Sequence, residues 1–364
     1  MAGIKTIKYK FVNAVQFKKL KKAADLAFSR FNQFPALIIS IDNRFTELTN
    51  ILLDGGWDVN ETRQKDGFTP LHSAVAGYDS DMVTELLKRG ANKDILDGTL
   101  LTPLARILKM RVCGKGLRVY HALTDGMAGE EFSWKNQRDE TLLHIAARNR
   151  TVPHGIYEEL IEKGVDLNSR EEFFGRCFLM DLTIFNGDQT MVIRVTELAI
   201  KNGLELNLVD HYGNSLLHRM ASEERIQVLK WASQNPNFKI RVRNASDQTA
   251  MWLGTKRGNV EIIKILYSMG ETVQDEAMEY HGCGYRRSLI QCAQYRDRKE
   301  VVEIIKREIE GEKTEEGNYA PKRLSALAKG VIRECLANQG VNIIPKVAEL
   351  ELPKSLKEFV LELV

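Results

Sequence analysis

The sequence predicts an all-α fold in which a helix–turn–helix unit repeats along the chain as a solenoid. The segment from Asp66 to Asp97 reads DGFTPLHSAVAGYDSDMVTELLKRGANKDILD, and weaker copies of it follow. The copies recur at intervals of 33, 39, 36, 38, 34 and 39 residues, a period typical of solenoid proteins. With 364 residues, of which 43% are apolar and 28% charged, the chain suits an elongated repeat array or several domains.

The first helix of each copy begins at a residue that can cap it. Thr69 can accept a hydrogen bond from the first turn, and Pro70 follows at the position where a missing N–H costs nothing. The equivalent positions in later copies are Thr102, Thr141, Cys177, Ser215, Thr249 and Ser288. The fourth and fifth copies depart most from the pattern. In the fourth, where Cys177 replaces threonine and Met180 replaces histidine, we expect a weaker cap and hydrogen-bond network.

The second helix of the best copy has Val83, Leu86 and Leu87 on one face, which we expect to be buried. Gly77 can reverse the chain between the two helices, and Gly90 can end the second helix in a left-handed conformation. A half-copy, FTELTNILLDGGWDVN from Phe45, predicts the second helix of a preceding repeat. Residues 1–44 have apolar residues at helical spacing and are interpreted as an N-terminal helical cap.

The segment from Asp66 to Asp97 closely resembles an ankyrin repeat. The tetrapeptide TPLH from Thr69 to His72, together with Ala74 and Gly77, stands at the ankyrin spacing. The resemblance implies about seven ankyrin repeats, partly degenerate, over residues 45–310, with short β-hairpin loops between the helix pairs. It also implies a concave surface of hairpin tips and first helices on which proteins are bound.

Three of the seven histidines occupy the same position of the repeat, namely His72, His144 and His218. Equivalent positions imply a repeated structural task, so we interpret them as ties between the loop backbones of neighbouring repeats rather than as catalytic groups.

No motif for catalysis or for metal or nucleotide binding occurs in the chain. The segment CGKG at 113–116 lacks the preceding glycine and the hydroxyl residue of a phosphate-binding loop. The five cysteines are scattered and form no metal-binding pair, which fits reduced thiols in the cytoplasm or the nucleus. We therefore expect a non-enzyme without cofactor or metal. No apolar run approaches the length of a membrane span, and no membrane association is expected.

The formal net charge of +3 gives no case for nucleic-acid binding by the whole chain. The first thirty residues are basic, and we interpret them as a solvated helix face in preference to an interaction arm.

Hairpin tips are expected just before each capping position, and several carry exposed-type aromatic or arginine residues, which dominate many protein interfaces. The candidate substrate-binding residues are Arg138, Phe173, Phe174, His211, Tyr212, Tyr280, His281, Tyr285, Arg286 and Arg287. The sequence leaves two interpretations open, since these side chains could equally pack on an adjacent loop.

The C-terminal part begins with a polar linker, residues 311–320, and continues with LSALAKGVIRECL from Leu324 to Leu336. This segment has a single apolar stripe at helical spacing. Residues 321–364 as a whole resemble a SOCS box, which implies contacts with elongin and with a cullin. The implied elongin-binding residues are Pro321, Leu324, Leu327, Ala328, Val331, Ile332 and Leu336. The implied cullin contacts are Leu350, Leu352, Pro353, Leu356 and Phe359. Ala328, Lys329, Glu351 and Phe359 depart from the residues that the family usually has.

Ankyrin repeats followed by a SOCS box resemble the ankyrin-and-SOCS-box family of ubiquitin-ligase substrate receptors. The resemblance implies four partners: elongin B, elongin C, the fifth cullin and its RING subunit. It also implies a protein substrate, which the sequence does not identify. The alternative is a non-catalytic ankyrin scaffold or inhibitor whose C-terminal helices only cap the solenoid.

Overall fold

A computed structural model describes residues 36–271, 279–280, 286–287 and 289–310. The chain divides into two compact units, one with the described residues 36–137 and 151–156, the other with residues 138–150 and the described residues from 157 onward. Each unit consists of paired helices whose first helices pack on those of the next pair. The predicted all-α solenoid is thereby confirmed for the described part of the chain.

The first unit contains helices α1 Ala36–Asp42, α2 Thr46–Asp54, α3 Pro70–Ala76, α4 Ser80–Lys88, α5 Pro103–Lys109 and α6 Lys115–Thr124, and a 3-10 helix, Gly129–Phe132. The second unit contains α7 Leu142–Ala147, most of α8 His154–Glu162, α9 Phe178–Phe185, α10 Gln189–Lys201, α11 Leu216–Ser222, α12 Ile226–Ser233, α13 Ala250–Arg257 and α14 Val260–Ser268. It continues with strands β1 Glu279–Tyr280 and β2 Arg286–Arg287, which pair antiparallel, and ends with α15 Leu289–Tyr295 and α16 Lys299–Glu310. No helix in the described ranges is long and apolar enough to cross a membrane.

The first described helix pair begins before residue 45, where the repeats were expected to start. Helix α1 packs on α2, and Thr49 Oγ1 donates a hydrogen bond of 2.9 Å to Ser40 Oγ between them. Leu37 and Ile38 are fully buried. The predicted boundary between residues 44 and 45 thus divides a helix pair. The sequence predicted only the second helix of this pair, because FPALIIS lacks the hydroxyl residue that starts the clearer copies.

The predicted caps form at three of the four threonine positions, whereas Thr141 precedes α7 without a side-chain cap bond. Thr69 Oγ1 accepts a hydrogen bond from the backbone N–H of His72, and Pro70 is the first residue of α3. Thr102 and Thr249 cap α5 and α13 in the same way. Cys177 precedes α9 without a side-chain cap bond, as expected from its thiol.

The buried histidines tie consecutive repeats together, as the sequence predicted. The ring Nδ1 of His72 lies 3.3 Å from the backbone N–H of Thr69 and accepts from it. The proton of the neutral ring is therefore on Nε2, which donates to the carbonyl of Leu101 at 3.1 Å in the next repeat. In the second unit the same bonds join His144 to the Arg176 carbonyl and His218 to the Gln248 carbonyl.

The imidazoles should make folding stability fall in mild acid. Burial lowers the pKa of His72 and His218, and it lowers that of His144 to about 4. The unfolded chain, whose histidines titrate near pH 6.5, then binds more protons than the folded chain as the pH falls from about 6.5 to about 4. His144 alone should contribute a loss of about 1.4 kcal/mol of unfolding free energy per pH unit in that window. Urea unfolding measured across it, with His144 followed by NMR, checks this. An imidazole that titrates at or above pH 6.5 in the folded chain would contradict it.

The hairpin tips place the residue two before each cap in the left-handed region. These residues are Gly67, Leu100, Asp139, Gly175, Gly213 and Asp247, with φ between +56° and +74°. Glycine adopts this conformation without cost and aspartate tolerates it, but a bulky side chain is strained there. The backbone of Leu100 is therefore strained. Its side chain is 37% exposed, so burial of the side chain offsets little of this strain.

Replacing Leu100 with glycine should raise the unfolding free energy by about 1 kcal/mol, since the relief of strain outweighs the added freedom of the unfolded chain. Asp139→Gly at the equivalent position is the matched control and should change stability by less. Thermal unfolding of both variants measures the difference, and a Leu100→Gly variant less stable than the parent would refute the strain.

Candidate functional site

Consecutive hairpin tips of the second unit are joined by backbone hydrogen bonds. The N–H of Glu172 donates to the Arg138 carbonyl at 2.9 Å, and the N–H of His211 donates to the Phe174 carbonyl at 2.7 Å. The next tip continues the row, with Ala245 N–H bonded to the Tyr212 carbonyl at 2.7 Å. Residues 138–140, 171–176, 210–214 and 244–248 therefore form one surface, called the tip surface below. It brings together the predicted residues Arg138, Phe173, Phe174, His211 and Tyr212.

Large aromatic side chains are exposed on the tip surface. Phe173 is 59%, Phe174 40% and Tyr212 55% exposed. Each phenylalanine ring has a guanidinium on one face, with Arg138 Cζ at 4.7 Å from the Phe173 centroid and Arg176 Cζ at 4.3 Å from that of Phe174. Each ring is thus covered on one face by arginine, and the two rings lie 6.5 Å apart between centroids, while part of each remains exposed to solvent.

His211 packs closely over Gly175 of the preceding tip. A Cβ atom at Gly175 would collide with the imidazole ring, and Gly175 has a φ of +66°. Both observations require glycine here, so the contact between these two tips depends on this residue.

A buried carboxylate organises the tip that carries the phenylalanines. Glu171 is only 1% exposed, and its carboxylate accepts hydrogen bonds from the backbone N–H groups of Phe174 at 2.8 Å and Phe173 at 3.0 Å. The N–H of Arg176 donates to it as well, at 3.3 Å. Because the N–H groups of Phe173, Phe174 and Arg176 all donate to the Glu171 carboxylate, the backbone of the tip is held in one conformation.

The next two tips use the same device with shorter side chains. Asp210 Oδ1 accepts from the N–H groups of Tyr212 at 2.9 Å and Asn214 at 2.8 Å. Asn244 Oδ1 accepts from the N–H groups of Ser246 and Gln248 in the following tip. These acceptors were not predicted from the sequence. Their signal is an aspartate or asparagine five residues before the capping position, and Glu171 stands one residue further back.

In the degenerate fourth copy, ion pairs replace the hydrogen bonds that threonine and histidine make in the clearer copies. Asp181 of α9 is fully buried between Arg148 Nε at 2.6 Å and Arg176 Nε at 2.8 Å. Arg148 also pairs with Glu140. The expected weakening of the network is thus only part of the outcome, because charged side chains of adjoining segments replace the bonds that Cys177 and Met180 cannot make.

Arginines from both flanking copies also satisfy the end of α9. Arg150 Nε donates to the Phe185 carbonyl at 2.6 Å, and Arg225 donates to the carbonyls of Thr183 and Ile184 at 2.8 and 2.9 Å. The last carbonyls of a helix lack partners within the helix, so these bonds complete α9 from outside. Sequence reasoning missed them as well, since the arginines lie in loops without a fixed spacing.

The remaining candidate residues are described only in part or not at all. Tyr280 pairs with Arg286 across the β1–β2 hairpin, and Arg287 pairs with Glu279, by backbone register. The side chains of these residues, the residues His281 and Tyr285, and the whole segment 321–364 lie outside the described residues. Across the described ranges, no group of three or more His, Cys, Asp and Glu side chains could hold a metal ion.

Replacing Glu171 with alanine should loosen the aromatic tip. Three N–H groups lose their acceptor and the Arg176 side chain loses a nearby carboxylate, so unfolding of the second unit should become easier by about 1–3 kcal/mol. Chymotrypsin should then cleave the chain after Phe173 or Phe174 faster than in the parent. The adjacent exposed residue gives the matched control, because Glu172→Ala removes no such bond and should change neither stability nor cleavage. Equal cleavage of the two variants would contradict the role assigned to Glu171.

Comparisons with known proteins agree with this architecture. A family model described as "Ankyrin repeats (3 copies)" matches residues 8–97. Ankyrin repeat protein B18 of vaccinia virus (strain Copenhagen) is 24% identical over 227 residues, which are 55% of this chain and 38% of that protein. The variola virus B18 protein (isolate Human/India/Ind3/1967) is 23% identical over 225 residues, with the same coverage. The chain thus spans 38% of the length of these curated relatives.

The solved ankyrin repeat domain of Bcl-3, described as a unique member of the IkappaB protein family, superposes with a TM-score of 0.51 at 21% sequence identity. The superposition covers 64% of this chain and 98% of that domain. The repeat motif and the paired helices agree with these similarities. The chain is an ankyrin-repeat protein.

Proposed function

We propose that this protein is a substrate receptor of an elongin B/C–cullin–RING ubiquitin ligase. Ankyrin repeats bind protein partners, and the tip surface offers exposed aromatic rings for this purpose. The observation that carries the ligase role is the spaced resemblance of residues 321–364 to a SOCS box in both of its halves. This segment follows directly on the repeats and a polar linker.

The first half of the segment supplies the elongin contact. A helix with Leu324, Leu327 and Ile332 on one face would dock in a groove of elongin C, with Leu324 as the anchor. Such anchors contribute much of the binding free energy when they fill a pocket, often about 2 kcal/mol or more.

The second half supplies the cullin contact through Leu352, Pro353 and Leu356, with the fifth cullin as the expected partner. The substrate would lie on the tip surface, around Phe173 and Tyr212. The protein then acts by position, since it holds the substrate near a ubiquitin-transferring enzyme that other subunits bring. It needs no catalytic group of its own for this role.

A scaffold or inhibitor without ligase function is the second candidate. The observation in its favour is the last described helix, α16, in which Val302 and Ile304 remain half-exposed. A following amphipathic segment could cover them and end the solenoid, and the apolar stripe from Leu324 would then be part of the core.

The two candidates differ in the effect of Leu324→Ala. As a receptor, the variant should lose at least about tenfold in capture of elongin B and C, while the repeats unfold at the parent temperature. Glu334→Ala, at a position off the stripe in the same segment, is the control and should retain capture. Co-purification with both elongins and thermal unfolding are measured on each full-length variant.

A parent chain that captures no elongin under conditions in which a known SOCS protein does would refute the ligase role. Unfolding of the repeats by Leu324→Ala, with no capture by the parent, would favour the capping role.

A further inference from the structure

Two tips of the tip surface, 171–176 and 210–214, use all of their backbone N–H groups in hydrogen bonds within the chain. In the tip 171–176 every N–H group donates within the chain, to the Glu171 carboxylate or to backbone carbonyls. In the tip 210–214 every N–H group also donates within the chain, to the Asp210 side chain or to backbone carbonyls. These tips therefore cannot pair with an added strand through their N–H groups, nor bind an anion in a backbone nest.

The arginines around the tips are engaged as well. Arg138 and Arg176 stack on Phe173 and Phe174, and Arg170 Nη1 donates to the Val209 carbonyl at 3.1 Å. Arg148 pairs with Glu140 and Asp181, Arg176 with Asp181, and Arg219 with Asp210. Each of these guanidinium groups thus contacts a ring, a carboxylate or a carbonyl of the protein itself.

Several polar groups of the tip surface that have no partner within the described residues are hydrogen-bond acceptors. Asp139 and Glu172 are exposed, and no hydrogen bond or ion pair to either carboxylate occurs within the part of the chain that the structure describes. The two residues lie on adjoining tips, because the N–H of Glu172 bonds to the carbonyl of Arg138. The carbonyls of Phe173 and His211 likewise accept no hydrogen bond from the described residues.

The exposed rings add a second preference for the same kind of ligand. A cation within about 6 Å of an aromatic ring centroid is attracted to the ring face by about 0.5–2 kcal/mol. Both phenylalanines already have a guanidinium within that distance, at 4.7 and 4.3 Å. Phe173 and Tyr212 keep more than half of their surface exposed. Aromatic surface beside two carboxylates and two carbonyls matches a lysine or arginine side chain with apolar neighbours.

From this arrangement we infer that the tip surface binds a basic segment of its protein partner, in which lysine or arginine alternates with apolar residues. The inference rests on the proposed use of the tip surface for partner binding and states the chemistry of that partner. An acidic segment would find no backbone donor in the tips 171–176 and 210–214, and it would face the carboxylates of Asp139 and Glu172.

Two capped synthetic peptides test the inference on the full-length protein, one of alternating arginine and leucine and one with glutamate in place of arginine. The arginine peptide should bind with an affinity that falls as salt rises, and it should shift the NMR signals of Phe173 and Tyr212. The glutamate peptide should do neither.

A double variant, Asp139→Asn with Glu172→Gln, isolates the carboxylates, because asparagine tolerates the left-handed conformation at 139. Its Kd for the arginine peptide should rise by about fivefold. The control variant Glu162→Gln with Glu205→Gln removes two exposed carboxylates elsewhere in the second unit and should bind as the parent does. An arginine peptide that does not bind, that binds the double variant as tightly as the parent, or that binds no better than the glutamate peptide would overturn the inference.

Elongin capture by the same protein preparations is scored separately. Peptide binding without elongin capture would leave the basic partner standing and refute the ligase role. Elongin capture without peptide binding would support the ligase role and refute the basic partner.

Discussion

The hairpin tips depend on side-chain acceptors, buried at Glu171 and Asp210 and partly buried at Asn244, that bind backbone N–H groups. Glu171, Asp210 and Asn244 each accept two or more such bonds inside a tip, and the tips then bond to one another through their backbones. Leaving one of these donors buried without a partner would cost about 1–3 kcal/mol. The shape of the surface is therefore set largely by the side chains of Glu171 and Asp210, which are themselves buried.

This constraint also explains what the surface can recognise. Since the N–H groups of the tips 171–176 and 210–214 all donate within the chain, recognition at these two tips falls to side chains and to carbonyl oxygens. Phe173 and Tyr212 project from a backbone that is already fixed, so a partner does not have to pay for ordering it. The repeats and the C-terminal segment then divide the proposed work, with substrate recognition in one and ligase assembly in the other.

Much of this architecture could be predicted from the sequence. Thr69 with Pro70 identified the start of a helix, the position of His72 predicted the tie between repeats, and spacing placed Phe173, Phe174 and Tyr212 on tips. These features are local or repeat at a fixed interval. Helix α1 was not placed because it lacks a capping residue, and the pairing of Asp181 with Arg148 was not foreseen because it joins residues far apart in sequence at no fixed spacing.

Native-state hydrogen exchange of the full-length protein tests the central claim most directly. The amides of Phe174, Arg176, Tyr212 and Asn214 lie in hairpin tips at the surface, where loop amides ordinarily exchange quickly. If buried acceptors hold the tips, these amides should exchange only through large-scale opening of the second unit, as slowly as amides in the middle of α9. Exchange at the rates of unprotected loops would contradict the account.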